Sequence, residues 1–209
     1  MIIGADDIPK EWFPYGLVPD ICNLIKAAWE ETKKPVPGER EERINARLCV
    51  KMRRKKSEYI NNASVIIENE YGLIDEDTGK VTDSIDICLL SNGEEYVYLP
   101  LECKKLRIPR GDGKRVDSNA DQYTKEGIVR FVNGKYLDHD MNTQAAMVGY
   151  VLDGKTLLAW KNIDNSIRSN AELILLDGTL SSSRFSKDVF ETRHATTPQT
   201  KIYHLLLAC

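Results

Sequence analysis

The stretch VTDSIDICLLSNGEEYVYLPLECKKL, residues 81–106, most narrows what this chain can fold into. Two apolar runs flank Ser91-Asn92-Gly93, a turn composition, so the spacing predicts two antiparallel strands over 84–90 and 95–103. The second strand then ends in Glu102-Cys103-Lys104. An unpaired buried charge costs roughly several kcal/mol, so a carboxylate and an ammonium at the end of a core strand need a partner or a task. Side chains two apart share a face, which sets Glu102 beside Lys104 and turns Cys103 the other way. Across the hairpin, Asp83 and Asp86 both lie near the mirror position of Glu102, and the register decides between them. Asp86 is preferred because the apolar run begins directly after it.

Upstream, Ile21, Leu24, Ile25, Ala28 and Trp29 fall on one face of a helix over 20–34 that Pro35 stops. Ile44, Leu48 and Met52 mark a second helix over 38–54, after a Pro-Gly break. A strand is expected over 64–69. Downstream, 119–132 reads as a helix with Tyr123, Gly127, Ile128 and Phe131 inward, 145–152 as a strand, and 155–168 as a helix. The runs at 173–176 and 202–208 are expected to close the sheet. The expected fold is therefore a single mixed α/β domain over 1–209, a mixed central sheet flanked by helices, with residues 1–37 as an N-terminal helical extension.

The chain has 209 residues, 42% hydrophobic and 29% charged, with a mean hydropathy of −0.40, the balance of a folded globular domain. Its five scattered cysteines show no metal-binding spacing and read as thiols of a reducing compartment. No apolar run approaches the roughly 18 residues that span a bilayer. A cytoplasmic protein without a membrane partner is expected.

The net charge of −3 hides two basic runs. Between Arg40 and Lys56 eight basic residues face two acidic ones, and between Lys104 and Arg115 six face one. Each run alone is most simply a solvated face. Together, beside the odd acids, they suggest a surface for phosphate backbones formed by Arg53, Arg54, Lys55, Lys56, Lys105, Arg107, Arg110, Lys114 and Arg115. Gly111-Asp112-Gly113 supplies a flexible loop for the last of these, and Tyr123, Lys125 and Arg130 extend the surface.

Two carboxylates a strand apart repel unless a cation lies between them. Mg²⁺ suits Asp86 and Glu102, because it takes oxygen ligands and commonly uses one or two carboxylates plus water and phosphate oxygens. The Cys103 carbonyl is a natural third ligand, Mn²⁺ an alternative ion, and Lys104 is placed to orient the attacking water or offset charge in the transition state. His139, His194 and His204 are far apart, with no acid or cysteine at ligand spacing, and no nucleotide-binding or serine-hydrolase motif is present.

Asp86-Ile-Cys-Leu-Leu followed by Glu102-Cys103-Lys104 resembles the PD-(D/E)XK nuclease superfamily, the restriction-endonuclease-like fold. Ile85 stands where many members have proline. The resemblance covers roughly residues 38–151. It implies a metal-dependent endonuclease acting on DNA, in restriction, anti-phage defence or repair. It also implies an acid from the preceding helix, Glu42 or Glu41, beside the metal, and a glutamine, Gln122, serving the scissile phosphate, with Lys125 nearby on DNA. A non-catalytic nucleic-acid-binding or scaffold subunit and an RNase using the same site are the rivals. DNA versus RNA, endo- versus exonuclease action, a homodimer and a defence-complex partner protein all stay open.

Overall fold

The structure is a computed structural model that describes residues 15–36, 38–60, 65–74, 77–91, 98–111, 115–137, 143–183 and 185–209. The Asn92-Gly93 turn, His139 and Lys114 lie outside the described residues.

Two helices open the described chain, α1 (Val18–Glu31) and α2 (Glu41–Tyr59). Helix α1 buries Ile21, Leu24, Ile25, Ala28 and Trp29, the face read from spacing. It stops short of residue 34 because Thr32 turns extended and returns its N–H to the Trp29 carbonyl. Trp29 stacks on Tyr150 at 5.0 Å and donates its indole N–H to the Ala208 carbonyl at 2.7 Å, so this helix, read as an extension, belongs to the core. Helix α2 runs five residues beyond the expected 54, since Lys55, Lys56 and Glu58 carry a helix on without apolar positions.

The strands are β1 (Val65–Ile74), β2 (Val81–Ser91), β3 (Tyr98–Leu106), β4 (Ile108–Pro109), β5 (Val116–Asp117), β6 (Gln144–Val151), β7 (Ser181–Ser182), β8 (Val189–His194) and β9 (Thr200–Ala208). Seven of them form one sheet in the order β1-β2-β3-β6-β9-β8-β7, and β4 and β5 pair separately. The centre, β3-β6-β9, is parallel, and both wings are antiparallel. A mixed sheet with helices on both faces is the α/β class expected.

One face of the sheet packs on α1 and α2. The other is covered by α3 (Ala120–Gln122), a π-helical turn (Tyr123–Ile128) and α4 (Val129–Val132), which run on as one helical segment, and by α5 (Thr156–Ser169). Among the described residues no helix is long and apolar enough to cross a membrane, and all five cysteines are free thiols.

The run at 173–176 is not a closing strand. Leu175 sits at φ 48°, Leu173 and Leu175 are exposed, and only Leu176 makes a single bridge, to His194. The strand that takes this place is β8, VFETRH, whose buried Thr192 and His194 conceal it from a hydrophobic pattern.

Candidate active site

Strand β3 is buried through Cys103, flanked by β2 on one side and β6 on the other. Its pairing with β2 ends at Ile87 opposite Leu101, so the next step sets Asp86 across from Glu102. That resolves the register in favour of Asp86; Asp83 lies further out, within reach of Lys135 and of the Tyr136 hydroxyl. Beyond Leu101 the β2-side edge of β3 is no longer paired with main chain, and side chains complete it. The Cys103 N–H donates to Asp86 Oδ2 at 2.7 Å, and the Lys105 N–H to Glu41 Oε2 at 2.5 Å. Asn119 Nδ2 donates to the Lys105 carbonyl at 2.7 Å. Two carboxylates and an amide thus stand where main-chain groups of a strand would be, which accounts for acids at this depth.

Glu102 itself is fully buried, on the same face as Lys104. Its Oε1 accepts from Lys104 Nζ at 2.6 Å and from Arg130 Nη1 at 3.0 Å. Its Oε2 is buried and has no hydrogen-bond partner among the described residues. An orphaned buried acceptor costs about 1–3 kcal/mol, more when charged. Burial raises the Glu102 carboxyl above its usual range, and the Lys104 and Arg130 charges pull it down without cancelling that rise. Burial also pushes Asp86 up to about 7, helped by the Glu102 charge and opposed by the Cys103 N–H and the Lys104 ammonium. Burial works against the charge on Lys104, but Glu102, Glu41 and Asp86 together outweigh it and hold its pKa above the ordinary lysine value.

Lys104 also reaches Glu41 Oε1 at 3.5 Å, so it stands between the Asp86–Glu102 pair and an open pocket of about 380 Å³. Arg40, Glu41, Glu42, Lys104, Asn119 and Gln122 are among the residues lining that pocket. Of the two helix acids, Glu41 reaches β3, while Glu42 is exposed at the rim. Gln122, at the end of α3, lines the pocket as its position implied. A larger cleft, about 510 Å³, lies elsewhere against Trp29, Trp160 and Phe190, and contains none of the expected site residues.

Sequence reasoning placed Arg130 on a nucleic-acid surface and passed over Tyr136; both close the site. Arg130 pairs with Glu102 and with the Tyr136 hydroxyl, which in turn donates to the Ser84 carbonyl at 2.8 Å. The signal for Arg130 was its place on the same helical segment as Gln122, about two turns on. Tyr136 carries no pattern that would have found it.

The basic residues are dispersed. Arg53 donates to the Ile67 carbonyl at 2.6 Å and pairs with Glu68, Lys56 donates to the Val65 carbonyl at 2.7 Å, and Lys55 pairs with Glu31 at 2.7 Å. Arg54 is exposed. Arg53 and Lys56 cover the outer edge of β1, about 18 Å or more along α2 from Glu41. Arg107 is buried and grips Asp153 through Nε and Nη2 at 2.7–2.9 Å. Arg110 pairs with Asp117, Lys125 with Asp121, and Lys105 Nζ donates to the Glu39 carbonyl. Arg115 is exposed on the β4–β5 ribbon side.

Compared with family models, curated proteins and solved structures, the chain matches none.

Among the described residues no three His, Cys, Asp or Glu side chains converge as a ready ligand group. Asp86 and Glu102 are a pair of oxygen donors, and the orphaned Glu102 Oε2 is the atom that a cation would satisfy. The carbonyl of Cys103 projects to the same strand edge as its N–H, where the β2–β3 pairing has ended and Asp86 stands. Two carboxylates with a main-chain oxygen suit Mg²⁺, whose remaining positions go to water and phosphate oxygens.

Proposed function

We propose that this chain is a Mg²⁺-dependent nuclease that hydrolyses phosphodiester bonds, DNA first among its substrates, in a restriction-endonuclease-like core. The reading rests on Glu102: a fully buried carboxylate with one oxygen fixed by Lys104 and Arg130, the other without a partner, and Asp86 across the strand pair. Asp86, Glu102 and the Cys103 carbonyl would hold Mg²⁺ or Mn²⁺. When bound, the ion supplies a polarised phosphate and a more acidic water.

The side chains divide the remaining work. Arg130, braced by Tyr136, fixes the Glu102 rotamer so that Oε2 is left to face a ligand. Lys104 carries a proton held firmly by its acidic surroundings, and offers N–H donors to the attacking water or to a non-bridging phosphate oxygen. Arg40 and Gln122 at the pocket wall orient the phosphate, and Glu41 keeps the open edge of β3 in place through the Lys105 N–H.

Purified protein incubated with duplex DNA, single-stranded DNA and structured RNA, in Mg²⁺ or Mn²⁺, tests the proposal. Fragments with 5′-phosphate ends are expected from the wild type. None are expected from Glu102→Gln, which keeps its affinity for duplex measured in Ca²⁺. A second reading, a nucleic-acid-binding or scaffold subunit that does not cut, draws on one observation: Lys104 and Arg130 already neutralise Glu102. Binding without cleavage of any substrate in either metal would establish that reading instead.

A further inference from the structure

On the covered face of the sheet, Glu102, Met147 and His204 are direct register neighbours on β3, β6 and β9. The π-helical turn lies over this row. A Cβ on Gly127 would stand 2.4 Å from Met147 Cε and 3.7 Å from Glu102 Cγ, so only glycine lets the turn come this close without displacing Met147. Four residues earlier, Tyr123 Oη is 3.0 Å from His204 Nδ1. His204 Nε2 is 2.8 Å from Thr192 Oγ1, which is 2.8 Å from His194 Nε2, and His194 Nδ1 is 2.6 Å from the Ile174 carbonyl. All four side chains are buried, at most 1% exposed.

The chain has only one direction. A carbonyl can only accept, so His194 Nδ1 carries the proton and, in the neutral ring that burial favours, Nε2 accepts. The single Thr192 hydroxyl proton therefore goes to His194, and Thr192 Oγ1 accepts from the His204 Nε2–H. His204 Nδ1 is then bare and accepts from the Tyr123 hydroxyl. Every group is satisfied and no second proton arrangement fits. Apolar side chains could fill this space, and a fully connected polar chain is favoured over them where it fixes one geometry. π-Helical turns, likewise, occur frequently at functional sites.

We propose that Tyr123, His204, Thr192 and His194 act as positioning residues for the Glu102 site, setting the rotation of the π-helical turn over the sheet. With Tyr123 fixed on His204 and Gly127 on Met147, the exposed side of the segment carries Gln122 and Glu126 to the pocket, and its far end brings Arg130 to Glu102. The inference about catalysis rests on the nuclease reading above; the inference about the chain itself does not.

The test therefore has two arms. Long-range ¹H–¹⁵N spectra of the wild type near neutral pH are expected to show two neutral imidazoles of opposite tautomer, protonated at Nδ1 in His194 and at Nε2 in His204. In Tyr123→Phe, amide exchange over residues 122–130 is expected to rise about tenfold while β6 and β9 keep their protection. Its kcat for cleavage is expected to fall about tenfold, with duplex affinity in Ca²⁺ unchanged. A cationic or oppositely protonated histidine, or Tyr123→Phe exchanging and cutting as the wild type does, would overturn the proposal. If Tyr123→Phe does not fold, the wild-type tautomers still decide. A wild type that cuts nothing, with the tautomers and exchange as expected, would remove the nuclease reading and leave the positioned turn.

Discussion

Glu102 and His204 lie two strands apart in one row on one face of the sheet, yet they are buried in opposite ways. Around His204 every donor meets an acceptor and the chain of bonds ends on a main-chain carbonyl. Around Glu102 two cations crowd onto one oxygen, the other oxygen has no partner among the described residues, and a second carboxylate stands across the strand. A closed network serves geometry; an open one is incomplete until something else arrives. The contrast separates residues that build the site from those that would do its chemistry.

The largest effect is expected on the open side. Asp86→Asn keeps an oxygen for the Cys103 N–H but removes a charge from the pair, so cleavage should fall by about a thousandfold while the metal-free protein becomes more stable above neutral pH. The sign follows from proton binding. Folded Asp86 holds its proton up to about 7, whereas the unfolded chain releases it near 3.8, the ordinary value for an aspartate. Over that interval the folded state binds more protons, and stability falls as pH rises. Thermal midpoints across this range should decline in the wild type and flatten in Asp86→Asn. Equal slopes would place the titration elsewhere.

Next in size is a paired measurement. Lys104→Met leaves Glu102, Asp86 and Glu41 short of a cation and should cost about 2 kcal/mol near neutral pH, fading as the carboxylates take up protons in acid. The cost comes from the ion pairs of Lys104 with Glu102 and Glu41. Thr192→Val should cost a similar amount by stranding two imidazole nitrogens, with little change over the same pH range. Urea unfolding of both variants at several pH values tests the contrast, which collapses if the two profiles run parallel.

The smallest effect concerns the basic run at the far end of α2. Arg53 and Lys56 already serve the carbonyls of β1, so changing both to Ala should lower the salt slope of duplex binding by less than the two contacts that free cations would give, about 0.9 each. A drop near two would mean that they leave β1 for the phosphates.

The antiparallel pairing of β2 with β3 and the Glu102–Lys104 pair were legible because each depends on local pattern, whereas β2 begins at Val81, ahead of the acid expected to lead it. Helices α1 and α2 followed from apolar spacing. What could not be read were partners set by tertiary contact. Arg107 looks like a phosphate ligand until Asp153 is folded against it, 46 residues on. Strand β8 has the composition of a loop, since Thr192 and His194 are buried by hydrogen bonds rather than by being apolar. The choice of Glu41 over Glu42 needed the position of β3, and Tyr136 needed Arg130.

Trp29 bonds to Ala208 across 179 residues of chain, and β9 is an inner strand of the sheet. During synthesis α1 and α2 can pair with each other early, but the sheet surface they cover is completed only when β9 emerges and inserts between β6 and β8. Until then the part of α1 that faces β9 has no sheet beneath it. The Trp29–Ala208 bond is thus a long-range closure of the kind that slows folding, and a circular permutant beginning at β9 is expected to fold faster.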